Sequence, residues 1–146
     1  MSRRFVLSTV GTSLFSNVLE VSERPVWSGW LTLLSNTTTL PPDVAVKVDE
    51  LRQRARTRLH HGDVPARRLL SAELNGIYGL YNDGLSSGED VHYLIATDTA
   101  LGRAAADVVC DFLRQHNMNA SMHVPETLNT ESPESFSQGM KNLLTW

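Results

Sequence analysis

The chain has 146 residues, of which 41% are hydrophobic and 20% are charged, and this composition is typical of a folded protein with one hydrophobic core. Its formal net charge of -3 argues against binding to long nucleic acid, which depends mainly on neutralising phosphates. No apolar run reaches the roughly 18 residues that a membrane span needs, and a lone cysteine, Cys110, excludes an intrachain disulfide.

The first half of the chain begins with one predicted strand, and helical patterns follow it. Residues 4–10 are rich in β-forming residues and stop at Gly11, as a strand buried in a parallel sheet would. This apolar run is too short for the core of a signal peptide, so we expect a cytoplasmic protein. The helical patterns that follow are Leu14 to Leu19, Val26 to Leu34, Asp43 to Gly62, and Leu69 to Tyr81 with Ser71 as a candidate N-cap.

The second half alternates between strands and helices. We predict strands over residues 92–97 and 120–124, and helices over residues 102–115 and 135–146. In the last helix we expect Phe136, Met140, Leu143 and Leu144 to face inward. This alternation predicts one Rossmann-like α/β domain over residues 1–146, with a mainly parallel sheet and helices on both faces.

Two turns rich in hydroxyl groups follow predicted strands. The first is Gly11-Thr12-Ser13, and the second is Thr97-Asp98-Thr99 with Gly102 and Arg103 after it. In open α/β sheets, ligands bind at the carboxyl ends of the strands, where helix N-termini and hydroxyl groups can hold an anion. Each turn alone has a second interpretation, as a helix cap with a close-packed glycine. The pair together favours a polar ligand site.

Other candidate groups give weaker signals. Residues 47–68 hold seven of the 13 lysines and arginines, and we interpret them chiefly as a solvated helix face. Lys141 on the last helix is a further candidate cation at the site. The five histidines show no metal-ligand spacing, so we expect neither a metal nor a cofactor.

Four segments, in matching order along almost the whole chain, resemble the CARF (CRISPR-associated Rossmann fold) domain family. They are residues 8–14, with Gly11 to Leu14; residues 71–75, with Glu73 and Asn75; residues 97–102; and residues 136–143, with Lys141. The resemblance is closest to the branch found in type III CRISPR ancillary proteins and in stand-alone ring nucleases.

The resemblance implies a homodimer that binds cyclic oligoadenylate, most often cyclic tetra-adenylate, across its two-fold axis. The implied ligand-binding residues are Gly11, Thr12, Ser13, Leu14, Glu73, Asn75, Thr97, Asp98, Thr99, Gly102 and Arg103. In ring nucleases of the family, a hydroxyl group in the first turn and a lysine near the C-terminus assist cleavage, and Ser13 and Lys141 occupy similar places here.

Three functions therefore remain open at the level of sequence. The first is a sensor domain that passes ligand binding to a fused C-terminal effector, which the apolar end at Trp146 leads us to expect. The second is a slow, metal-independent ring nuclease that leaves linear products with 2′,3′-cyclic phosphate ends. The third is a Rossmann-like interaction module or DNA-binding regulator without a nucleotide. The acidic charge balance and the lack of a recognisable helix-turn-helix count against it.

Overall fold

A computed structural model describes residues 3–85, 88–129 and 131–146. The strands are β1 (Phe5–Val10), β2 (Val91–Ala96) and β3 (Asn119–His123). The helices are α1 (Ser13–Asn17), α2 (Arg24–Asn36), α3 (Pro42–His61), α4 (Val64–Leu70), α5 (Ala72–Leu80), α6 (Ala100–Gln115) and α7 (Pro133–Leu144), with a 3-10 turn at Val21–Glu23. No helix among these residues is both long and apolar enough to cross a membrane.

The three strands form a parallel sheet in the order β1-β2-β3, flanked by helices. The register pairs Val10 with Ala96 and Ile95 with His123, so the strands end along one edge. This architecture confirms the predicted Rossmann-like α/β fold. Its physical origin is the alternation of short β-rich runs with longer amphipathic segments, which places helices against a parallel sheet.

Helix α6 packs against all three strands and against α2 and α3. Ala105, Val108, Val109 and Phe112 form its buried apolar stripe. Cys110 lies on the same helix at 2% exposure, and burial raises the pKa of its thiol. The cysteine is therefore a buried packing group.

The single helical segment predicted over residues 69–81 is divided in two by Ser71. Its backbone is extended, and its hydroxyl oxygen accepts a hydrogen bond from the Leu74 N–H, so Ser71 is the predicted N-cap of α5. Leu69 and Leu70 belong instead to α4, which the sequence analysis missed. The signal for α4 was present, because Asp63 caps its N-terminus and Pro65 occupies its first turn.

The last helix is oriented differently from the prediction. Phe136 is 49% exposed and Leu144 is 79% exposed, so the expectation that both face inward was wrong. The buried residue of α7 is Gly139, where a Cβ atom would lie 2.2 Å from the Leu128 Cα. At Gly139 the backbone of α7 therefore packs directly on the backbone of Leu128. This contact determines that the face of α7 containing Gly139 is the buried one.

A buried polar network ties the start of β1 to β2 and to the end of α5. Arg4 donates three hydrogen bonds to the carboxylate of Asp90, one from its backbone N–H at 3.1 Å and two from its guanidinium at 3.0 and 2.7 Å, and the Tyr81 hydroxyl donates a fourth at 2.8 Å. These donors hold the pKa of Asp90 at about 2. The same hydroxyl lies 2.7 Å from Nε2 of His92, which is fully buried, and burial lowers the pKa of this histidine.

We expect stability to fall in two steps as the pH is lowered. The unfolded chain protonates His92 near its ordinary pKa of 6.5 while the folded chain keeps it neutral, so the free energy of unfolding decreases below that pH. The second step lies between the ordinary Asp90 pKa of 3.8 and its folded value of about 2. Thermal melting from pH 7.5 to about pH 2 measures both steps.

The variant His92→Gln should flatten the upper step, because it removes the group that protonates on unfolding. His60→Gln is the matched control, since His60 is exposed and its loss should leave the pH dependence unchanged. An upper step of equal size in His92→Gln and the wild type would contradict this assignment.

Candidate functional site

A cavity of about 220 Å³ lies at the carboxyl edge of the sheet, where β1 and β2 end side by side. It is lined by Val10, Gly11, Thr12, Ser35, Thr97, Thr99 and Asn129. The structure therefore brings together the two hydroxyl-rich turns that the sequence placed after separate strands. Their proximity follows from the parallel register, which puts the ends of neighbouring strands at one edge.

In the first turn, the Gly11 N–H donates a 2.8 Å hydrogen bond to Oε1 of Glu73. The other carboxylate oxygen of Glu73 accepts from the Ser71 hydroxyl at 3.0 Å, so the first turn of α5 holds this side chain in place. The backbone donor expected to face a ligand anion is thus already paired with a carboxylate. A phosphate would have to displace Glu73 to reach it.

The neighbours of Gly11 have different environments. Thr12 is partly exposed and lines the cavity, and Ser13 begins α1 with an exposed side chain. Leu14 is 1% exposed and belongs to the hydrophobic core. The turn therefore directs its polar side toward the cavity and its apolar side into the core.

In the second turn, Thr99 is the N-cap of α6. Its hydroxyl oxygen accepts from the Gly102 N–H at 3.0 Å and lies 3.2 Å from the hydroxyl of Thr97. The Ala100 N–H donates to the carbonyl of Thr37 at 2.8 Å. Capping and packing thus engage two of the backbone donors at this helix N-terminus. A Cβ atom on Gly102 would lie 2.0 Å from Oγ1 of Thr97, so this glycine permits the close packing of helix and turn.

Asp98 and Arg103 form a clamp beside the cavity rather than part of its lining. The Asp98 carboxylate pairs with Arg103 and accepts a 2.9 Å hydrogen bond from the Thr127 N–H. The Asp98 N–H donates to the Leu128 carbonyl at 2.7 Å. Thr127 has a φ of +61°, which is unfavourable for a β-branched residue. The clamp thus holds a strained segment after β3.

Two lining residues, Ser35 and Asn129, were not predicted from sequence. Ser35 lies in the last turn of α2 and is partly exposed, and nothing in its neighbourhood resembles a motif. Asn129 is 5% exposed, and its Oδ1 accepts a 3.1 Å hydrogen bond from the Glu131 N–H. Asn129 follows β3 at the same sheet edge, and this position is the one feature of the sequence that could have indicated a place in the cavity lining.

Two other predicted site residues lie outside this cavity lining. Asn75 is exposed on α5, where its side-chain oxygen accepts from Nε of Arg68 at 2.7 Å. Lys141 is exposed on α7.

In the part of the chain that the structure describes, no charged side chain lines the cavity. The arginines of α3 instead pair with carboxylates, as in the contacts of Arg56 with Asp107 at 3.0 Å and with Asp111 at 3.1 Å. Part of the basic stretch is therefore engaged in ion pairs between helices. Among residues 3–85, 88–129 and 131–146, no group of three His, Cys, Asp or Glu side chains could hold a metal ion.

We expect Gly102→Ala to lower the free energy of unfolding by about 1–3 kcal/mol, because the new methyl group would overlap the Thr97 side chain and carbonyl. Gly29→Ala in α2 is the control, since its Cβ atom would meet nothing within 4 Å. Helix propensity predicts that this control is neutral or stabilising by up to about 1 kcal/mol. Urea unfolding of both variants measures the difference, and equal effects would contradict the packing role of Gly102.

A comparison with known proteins shows to which family the chain belongs. Residues 68–146, more than half of the chain, match the family Cas_APE2256, described as a CRISPR-associated protein. The match includes Glu73, Thr97, Thr99 and Asn129, whereas the first turn lies before it. No curated protein matches the chain. A Rossmann-like fold with a polar cavity at its strand ends, together with this match, places the chain in the Cas_APE2256 family of CRISPR-associated proteins.

Proposed function

We propose that this chain is a CARF-type sensor domain of a type III CRISPR system that binds cyclic oligoadenylate, with cyclic tetra-adenylate as the expected ligand. The observation that carries the proposal is the single cavity at which both hydroxyl-rich turns meet. Hydroxyl groups of Thr12, Thr97 and Ser35 can donate to or accept from the polar atoms of a nucleotide. The membership of a CRISPR-associated family supports the same assignment.

The size of the cavity supports a ligand that is shared between two chains. Sites that enclose a drug-sized molecule usually measure about 300–1,000 Å³, and this cavity of about 220 Å³ is smaller. A ring of four nucleotides would therefore leave most of its surface outside one copy. An isologous homodimer presents the same cavity twice across its two-fold axis, and each copy would hold an equivalent part of the ring.

Ring cleavage is the second candidate function. The Ser13 hydroxyl is exposed directly after the cavity-lining Thr12, and no hydrogen bond joins it to another described residue. In the proposed reaction, a ribose 2′-oxygen attacks the adjacent phosphorus, and the bond to the 5′-oxygen breaks. The 2′-hydroxyl loses its proton and the 5′-oxygen gains one, which leaves a 2′,3′-cyclic phosphate. Ser13 would orient the phosphate, and Lys141 of the same or the second copy would stabilise its charge.

We expect calorimetry to show that the wild type binds cyclic tetra-adenylate at one ring per two chains. Thr12→Val and Thr97→Val should each weaken binding about three- to tenfold, since a typical hydrogen bond contributes about 0.5–1.5 kcal/mol. Thr32→Val is the control, because its exposed hydroxyl donates within α2 to the Ser28 carbonyl. A wild type that binds neither cyclic tetra-adenylate nor cyclic hexa-adenylate would contradict the proposed function.

Incubation of labelled cyclic tetra-adenylate with excess protein tests cleavage. If the chain is a ring nuclease, linear products accumulate, and Lys141→Ala slows them about 10- to 100-fold through the loss of electrostatic stabilisation. Lys141→Arg keeps the charge and should retain most of the rate. A ring that stays intact for hours at working temperature would contradict ring cleavage, and the sensor function would be the one that remains.

A further inference from the structure

Asn129 is the most deeply buried polar side chain of the cavity that no sequence motif marks. It is 5% exposed and lies on the segment after β3, opposite the two turns. A buried amide group normally has a hydrogen-bond partner for each end, because an unpaired buried donor costs free energy. The partners of the side-chain oxygen and of the NH2 group therefore indicate what Asn129 can bind.

The orientation of the amide group is set by the backbone. Oδ1 accepts a 3.1 Å hydrogen bond from the Glu131 N–H, which requires the oxygen to face that donor. The NH2 group is the other end of the same planar amide. Among the described residues, the structure gives this NH2 group no acceptor, and it is not one of the fully buried side-chain atoms that lack a partner. Because Asn129 lines the cavity, the cavity is where this donor can meet solvent or a ligand.

The backbone that carries Asn129 is restrained on both sides. Asp98 bonds to Thr127 and Leu128, and α7 packs on the same two residues at Gly139. Thr127 is held at a φ of +61°. Unfavourable backbone conformations of this kind persist where the surrounding structure determines them, and they cluster at ligand sites. The segment is therefore rigidly placed against the cavity.

The charges around the cavity determine whether the NH2 group would face a charged or an uncharged part of a ligand. The lining carries no cation, the Arg103 guanidinium is paired with Asp98, and the Glu73 carboxylate already occupies the Gly11 N–H. A carboxylate at the anion position disfavours a phosphate there by charge repulsion. The cavity is suited instead to an uncharged ligand portion with hydrogen-bond acceptors.

We infer that Asn129 is a specificity residue whose side-chain NH2 donates to an acceptor of a nucleoside, a ribose oxygen or a purine ring nitrogen, while the phosphates lie outside this cavity. The inference deepens the proposed function and rests on it for the identity of the natural ligand. It assigns the nucleoside of one nucleotide to each chain, held between Asn129 and the hydroxyl groups of Thr12 and Thr97.

The first arm of the test uses the wild-type protein labelled with 15N and follows the side-chain NH2 signals of Asn129, identified by their loss in Asn129→Asp. Adenosine at millimolar concentration should shift these signals, and inorganic phosphate at the same concentration should not. A shift with phosphate alone, or no shift with adenosine, overturns the inference. This arm does not require that a cyclic oligoadenylate binds.

The second arm measures affinity for cyclic tetra-adenylate. Asn129→Ala should weaken binding about tenfold, because it removes the hydrogen bond to the nucleoside. Asn142→Ala is the matched control, since the Asn142 amide donates to the Glu126 carbonyl outside the cavity. Thermal melting verifies that both variants fold.

The outcomes separate the two proposals. A wild type that binds no ring while adenosine still shifts the Asn129 signals contradicts the proposed function and keeps the nucleoside site. A wild type that binds the ring with Asn129→Ala at full affinity keeps the proposed function and contradicts the role of Asn129.

Discussion

The close packing of α6 beneath the sheet is the constraint on which the rest of the structure depends. Eleven of its residues are buried, and four of these are alanines at positions 100, 104, 105 and 106. Small side chains allow α2, α3 and all three strands to approach the same helix. Because β2 and α6 are joined by only three residues, this packing also fixes the direction in which the second turn leaves the sheet.

The chemistry of the cavity follows from how that turn is packed. Thr99 caps the helix with its hydroxyl, and Gly102 makes room for Thr97, whose hydroxyl reaches the cavity. Both threonines line the cavity, and Thr99 also caps the helix. On the other side, Glu73 occupies the Gly11 donor. The helix cap and the carboxylate together turn an expected anion site into a largely neutral, hydroxyl-rich cavity.

A third segment completes the site through backbone contacts. Asp98 binds the N–H of Thr127 and the carbonyl of Leu128, and α7 presses on Leu128 through Gly139. These contacts connect the second turn, the loop after β3 and the last helix in one unit. On the outer side of the same helix, Phe136 and Leu144 are exposed.

The amino-acid sequence by itself determined the element types, the parallel α/β architecture, the buried stripe of α6 and the Ser71 cap, because each follows from local periodicity or from a short capping pattern. It also placed Thr97 and Thr99 near Gly11 and Thr12, since parallel strands end at one edge. Tertiary structure alone decided the rest. Asn129 and Ser35 reach the cavity from segments without a motif, Glu73 takes the Gly11 donor across 62 positions of sequence, and Gly139 selects the buried face of α7. These outcomes depend on distances between segments that are far apart in the chain, which periodicity and spacing do not encode.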